Sequence, residues 1–332
     1  MKKQKRSLSG VLLFDKSTGF SSNQALQIVK RLYQAEKTGH TGTLDPLASG
    51  LLPLMFGEAT KFAADLIDAS KTYRTTIRLG YASSTGDAEG ELTKVDSRGL
   101  GGITLHEVEQ VCAGFLGEIL QTPPMFSALK KDGKPLYEYA REGIELDRVA
   151  RTVLIHQLNV INFQHNGDQT TIELEVNCSK GTYVRTLGED IARALGTAGY
   201  LTALRRTAIG GLNVDHAYTL ETLKEMGSED GSFLALDSVL FPVDALLGGL
   251  EKVELNNEFA RRFSHGQRLP LGLVNARPGR VRVYGEVLAQ DVSTGTGNTA
   301  SKGNSLFMGT GILETDGKGA LLRPDRLIQV NL

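Results

Sequence analysis

The stretch Gly39-His40-Thr41-Gly42-Thr43-Leu44-Asp45-Pro46-Leu47-Ala48-Ser49-Gly50 is the segment from which the rest of the chain can be read. Its three glycines in twelve residues open backbone conformations that a Cβ forbids, and Pro46 steers Asp45 away from the α region. Pro46 also has no backbone N–H to cap the Asp45 side chain locally, which leaves the carboxylate free for another partner. The apolar run Leu51-Leu52-Pro53-Leu54-Met55-Phe56 predicts a buried strand, so the loop should sit on a rigid support, where chemistry is often placed. Taken alone, these residues fit an exposed Asp-Pro turn as well. They do not form a phosphate cradle. No Gly-x-x-x-x-Gly-Lys-Ser/Thr occurs, and the nearest approach, from Gly311 to Gly317-Lys318, is one residue too long and ends in Gly319.

With 332 residues and 40% hydrophobic content, the chain can bury a large core and has room for one large and one small domain. The two cysteines, Cys112 and Cys178, lie in apolar surroundings without metal-ligand spacing and read as buried thiols of a reducing cytoplasm. The basic start Met1-Lys2-Lys3-Gln4-Lys5-Arg6 is followed by only a short apolar run, Val11 to Phe14, and no segment reaches membrane-spanning length. A soluble, cytoplasmic protein is expected. The net charge of −1 is unevenly spread: residues 1 to 80 carry twelve Lys/Arg against six Asp/Glu, and residues 259 to 332 carry ten against five. Two basic ends could form one electropositive face for nucleic acid, although charge runs are commonly plain solvated surface.

In chain order, Gly10 to Phe14 predicts a strand, and Ser21 or Ser22 caps a helix through Ala25, Leu26, Val29 and Leu32. Glu58 to Ile67 predicts a helix and Lys71 to Gly80 an alternating strand. Thr104 with Glu107 makes a capping box for a helix to about Leu116, and Tyr137 to Arg141 a short helix. Arg151 to Phe163 and Thr170 to Asn177 read as strands. Ser179 to Thr182 opens a helix with apolar face Val184, Leu187, Ile191 and Leu195, and Leu201 to Arg206 returns as a strand. Thr219 to Leu250 holds a helix and a polar link. Beyond Leu250 come strand-like runs at Val281 to Ala289, Leu306 to Leu313 and Leu327 to Val330, with a mobile hairpin loop at Ser293 to Gly303. Strands and helices without regular alternation predict an α+β fold, a mixed, mostly antiparallel sheet with flanking helices at residues 1–250 and a small β module at 251–332.

A carboxylate in a glycine-rich loop needs partners. Arg185, at the start of a helix, could orient it by charge-assisted hydrogen bonds, and Tyr73 or Tyr183 could stack on a flat ring. Spacing alone does not bring them together; resemblance does. Five ordered blocks, Asp15 to Ser22, Gly39 to Phe62, Lys71 to Gly90, Gln121 to Gly143 and Ser179 to Gly210, resemble the TruB family of bacterial tRNA pseudouridine-55 synthases. The departures are small: Ser17 stands where proline is commoner, Ser49 for threonine and Phe126 for tyrosine.

The resemblance implies that Asp45 is the catalytic aspartate, that Arg185 pairs with it, and that Tyr73 stacks on the target base at a position also linked to proton removal. It also implies that His40 fills the space the uridine leaves in the T-loop and that Tyr183 and Leu204 line the uracil pocket. A pseudouridine-synthase-like catalytic domain, a PUA-like C-terminal module on the tRNA acceptor arm, and a monomer working on the T-arm without guide RNA follow as expectations. So does an Asp45 held anionic by its arginine. Isomerisation changes neither redox state nor composition, so no cofactor or metal is expected. The alternatives are a synthase for another structured RNA and a tRNA-folding chaperone in which catalysis is secondary.

Overall fold

A computed structural model describes residues 5–95, 99–166, 169–227, 232–272, 277–286, 305–315 and 319–329. Its centre is a nine-stranded sheet. Across it run Gly10–Lys16, Ser49–Phe56, Gly199–Ile209, Lys71–Leu79, Gln169–Cys178, Arg151–Asn166 and Gly117–Gln121, with Thr38–His40 beside Ser49–Phe56 and Leu212–Asn213 beside Gly199–Ile209. All pairs are antiparallel except a short parallel contact of Arg205 and Arg206 with Ser49 and Gly50. The architecture is the expected α+β, mixed and mostly antiparallel.

Period-two alternation divides the core. On Gly10–Lys16, Leu12 and Phe14 face a cluster built with Ala25, Leu26 and Val29 of the helix Ser22–Leu32 and with Leu187 and Ile191 of the helix Val184–Ala194. Val11 and Leu13 face the opposite way, into a cluster with Phe62, Leu66, Leu246, Tyr284 and Phe307. Strands buried on both faces must read as continuous apolar runs, which explains Leu51 to Phe56.

Ser21 is the N-cap of Ser22–Leu32 in a complete capping box with Gln24. Four local expectations need correction. Glu58 to Ile67 is not one helix: a 3-10 segment, Gly57–Phe62, precedes a short α-helix, Ala63–Ile67. The Thr104-capped helix stops at Ala113, because the chain must turn into the edge strand Gly117–Gln121. Between Thr219 and Leu250 lie two short helices, Leu220–Met226 and Leu234–Ser238. The last strand is Ala320–Leu327, earlier than Leu327 to Val330, since its register follows Ser305–Thr315 back from the turn. The Ser293 to Gly303 tract lies outside the described residues.

From Glu251 a second, five-stranded sheet follows, in the order Glu251–Leu255, Gly279–Glu286, Ser305–Thr315, Ala320–Leu327 and Leu269–Leu271. It has its own core, including Phe263, Val283 and Leu322, yet packs on the main body. Phe307 meets Phe62 at 5.7 Å between ring centroids, and Arg280 bridges Asp65 of the main body and Asp325.

Candidate active site

The Asp45 loop is tied down at both ends. Ser22, in the first turn of its helix, accepts a hydrogen bond from the Leu44 N–H at 2.8 Å and donates to the Leu44 carbonyl at 3.0 Å. Downstream, the Gly19 N–H donates to the Pro46 carbonyl at 2.9 Å and the Ala48 N–H to that of Asp45 at 3.1 Å. With its neighbours pinned, the Asp45 side chain stays 41% exposed and points to a partner.

That partner is Arg185, whose Nη2 stands 3.1 Å from Asp45 Oδ2. Arg185 is itself buried, and its Nη1 donates to the Thr85 carbonyl at 2.8 Å and its Nη2 to that of Phe126 at 2.7 Å. Its Nε lies 3.7 Å from Asp87 Oδ2. Asp87 is also buried and accepts at Oδ1 from the Thr85 hydroxyl at 2.6 Å and the Glu89 N–H at 3.0 Å. Three groups from two chain segments, the Thr85–Asp87 turn and Phe126, therefore lock the guanidinium before it meets Asp45, as a preorganised site requires.

Burial pushes the Asp45 carboxyl above its ordinary range; Arg185 pulls it down, and Asp87 adds to the rise. The arginine acts in the expected downward direction, and removal from water outweighs it because the one cation is shared with a second carboxylate. Lys16, fully buried, donates to the carbonyls of Ser17 at 2.9 Å and Phe20 at 2.7 Å. Burial lowers its pKa to about 8, with Asp45 pulling the other way. His40 is lowered by burial and then by Arg206. Tyr73 is raised by burial, against the pull of Arg206.

Two cavities adjoin at Thr43. One, of about 480 Å³, is lined by His40, Asp45, Asp87, Phe126, Tyr137 and Arg185, among others. The other, of about 500 Å³, is lined by Tyr73, Tyr183, Lys71, Arg151, Lys180 and Arg206, among others. Asp45, Arg185 and His40 are thus brought together on one side of Thr43, and Tyr73 and Tyr183 on the other. Leu204 is not among the lining residues of either: it is buried in the main core, opposite Thr75. Among the described residues, no group of three or more His, Cys, Asp and Glu is placed to hold a metal ion.

Reading the residues singled out no role for Asp87, Lys16, Ser22 or Arg206 in the site. A signal existed for Arg206: it sits two positions beyond Leu204 on an alternating strand, so an inward Leu204 implies an inward Arg206. For Asp87 the turn residues around it concealed the role.

The chain matches known proteins along nearly its whole length. Residues 30–184 match the TruB family pseudouridylate synthase (N terminal domain), and residues 185–248 match the tRNA pseudouridylate synthase B C-terminal domain. The chain is 51% identical over 331 residues to the tRNA pseudouridine synthase B of Ralstonia pickettii (strain 12J), covering 99% of this chain and 97% of that protein. It is 53% identical over 287 residues to the protein of the same name in Burkholderia mallei (strain NCTC 10247), covering 84% and 90%. Among solved structures, a Cbf5-Nop10-Gar1 complex contains a chain that superposes with a TM-score of 0.67 at 23% identity, covering 96% of this chain and 84% of that one, which shows a shared fold. By these matches, spanning the loop, the arginine helix and the central sheet, the chain belongs to the TruB family of pseudouridine synthases.

Proposed function

We propose that the protein isomerises uridine 55 in the T-loop of tRNA to pseudouridine. The observation that carries this reading is the Asp45–Arg185 pair, 3.1 Å apart, at the edge of a cavity next to the one lined by Tyr73. The relatives' name, tRNA pseudouridine synthase B, supports tRNA as the substrate.

The base must leave the folded loop, at a cost of about a few kcal/mol, and stacking on an aromatic ring returns about 1–3 kcal/mol per base. Tyr73 supplies that platform, with Tyr183 on the same cavity, and His40 takes the space the uridine vacates. Leu204 supports the pocket from the core side. Asp45, anionic and partly withdrawn from water, acts as the carboxylate in glycosidic cleavage and in re-formation at C5. Arg185 orients it and meets the charge that develops. Arg151 and Lys180 around the second cavity suit RNA phosphates. The sheet beyond Glu251 acts as a PUA-like module, residues 251–332, gripping the acceptor arm, and the enzyme works as a cytoplasmic monomer without a guide RNA.

A tRNA transcript tritiated at uridine C5 tests this. The wild type should release tritium and form pseudouridine at position 55, and Asp45→Asn should release none. Equal release by both proteins would reject the assignment, and pseudouridine at another position would move the substrate site.

A further inference from the structure

We propose that Arg206 is a positioning residue for Tyr73, holding the phenol oxygen against the target base and standing as the cation opposite its phenolate when Tyr73 takes the C5 proton. The inference rests on the pseudouridine-forming reading above.

The geometry is set by the sheet. Arg206 stands directly opposite Tyr73 in the antiparallel pairing of Gly199–Ile209 with Lys71–Leu79. Opposed residues project from the same face with Cβ atoms roughly 5 Å apart. Both line the same cavity, which sets the Arg206 guanidinium beside the Tyr73 phenol. Arg206 is only 1% exposed. Its Nε donates to the Leu51 carbonyl and its Nη2 to the Gly42 carbonyl, each at 2.8 Å. Those carbonyls lie on either side of Asp45 in the chain, so one guanidinium braces the catalytic loop at both ends and the stacking platform beside it. Gly42 is required here: at φ +67° it sits where a Cβ would stand 3.1 Å from Arg206 Nη1.

A buried cation is costly without an anion. Among the described residues no carboxylate comes within ion-pairing distance of Arg206. Tyr73 is the ionisable side chain that faces it across the strand pair. The other groups acting on Tyr73 are Cys178 from the neighbouring strand, whose own pKa is pushed up to about 11 and which therefore stays neutral, and the Asp45 carboxylate from the loop, which opposes ionisation. Lys71, Arg151 and Lys180 share the cavity. Burial of Tyr73 is the largest force against the phenolate, and Arg206 leads the forces that favour it.

The step balances. Once C5 has joined the sugar carbon, the base carries hydrogen at C5 and an N1=C6 double bond. The phenolate takes that hydrogen as a proton, the C–H electron pair becomes the C5=C6 double bond, and N1 accepts a proton from solvent. Tyr73 then returns its proton to solvent.

The test places 3-fluorotyrosine, a more acidic phenol, at position 73 in the wild type, Arg206→Met and Arg206→Lys, with folding checked by thermal melts. Fluorine resonance read against pH reports ionisation of residue 73 without any turnover. It should shift upward by about one unit in Arg206→Met, equivalent to about tenfold less phenolate at fixed pH. Single-turnover tritium release by Arg206→Met carrying ordinary tyrosine should fall about tenfold at neutral pH, with its rise displaced to higher pH, and 3-fluorotyrosine should recover most of the loss. Arg206→Lys, which keeps charge without the fork, should fall between, and it carries the test if Arg206→Met does not fold. An unchanged resonance titration, or a loss of rate equal at every pH with no recovery, would overturn the proposal. A wild type that releases no tritium but shows the titration shift would sink the functional reading and leave the Arg206–Tyr73 coupling standing.

Discussion

Ser22 closes two hydrogen bonds on Leu44, one as acceptor at 2.8 Å and one as donor at 3.0 Å, and so joins the first turn of a helix to the residue before Asp45. Both groups are buried, and deleting the hydroxyl leaves an N–H and a carbonyl without partners at a cost of about 1–3 kcal/mol. Ser22→Ala should lower stability by that amount in urea titration. Its turnover number should fall more than its substrate affinity, because the loop would still exist but would present Asp45 less often in line with Arg185. Equal effects on both constants would mean that the tie does not govern catalytic geometry.

The Asp45 carboxyl lies above its ordinary range chiefly through burial, and Arg185 is the leading influence pulling it down. In the proposed reaction the anion is the working form, so activity should be lost on acidification at a pH above that of an ordinary carboxylate near 4. Arg185→Met should shift that acidic limb further upward in addition to lowering the plateau. A limb that stays in place while the plateau falls would show that Arg185 orients Asp45 without setting its charge.

Lys16 is fully buried, and its pKa falls from 10.5 to about 8. Below pH 8 both folded and unfolded chains carry the proton, and the cost of burying the charge is fully present. Between pH 8 and 10.5 the unfolded chain binds more protons, so folding gains as pH rises. Unfolding free energy of the wild type relative to Lys16→Met should therefore climb by roughly 3 kcal/mol across that interval. Denaturant titrations at both ends would measure it, and a flat difference would contradict the assigned shift.

Gly50 adopts φ +99°, and a Cβ there would stand 2.2 Å from the Arg206 carbonyl oxygen. That approach comes from the short parallel contact of Ser49 and Gly50 with Arg205 and Arg206. Backbone cannot withdraw as a flexible side chain could, so Gly50→Ala should destabilise by about 3 kcal/mol or more. A thermal melt within a degree or two of wild type would refute the contact.

Tyr73→Ala removes the proposed stacking platform. Base stacking contributes about 1–3 kcal/mol, so turnover should fall by at least about fivefold. Turnover equal to wild type would remove stacking from the mechanism.

Much was legible in advance. The apolar run Leu51 to Phe56 marked a buried strand, alternation marked the strands at Lys71 to Gly80 and Thr170 to Asn177, and Ser21 or Ser22 marked the start of a helix. These are local patterns, and local patterns survive folding where the tertiary context agrees with them. The helix expected over Glu58 to Ile67 is split into a 3-10 segment and a short α-helix, although Ala59, Phe62 and Leu66 keep the helical spacing that turns all three into one core.

By itself the sequence determined the periodicities, the loop that carries Asp45 and the residue types able to serve it, since these are encoded within a few positions of one another. Only the tertiary structure decided that Asp45 shares Arg185 with Asp87, that its carboxyl is pushed up and not down, and that Arg206 lies across from Tyr73. The physical reason is distance along the chain: these contacts join residues from 98 to 140 positions apart, and charge, burial and strand register act through space.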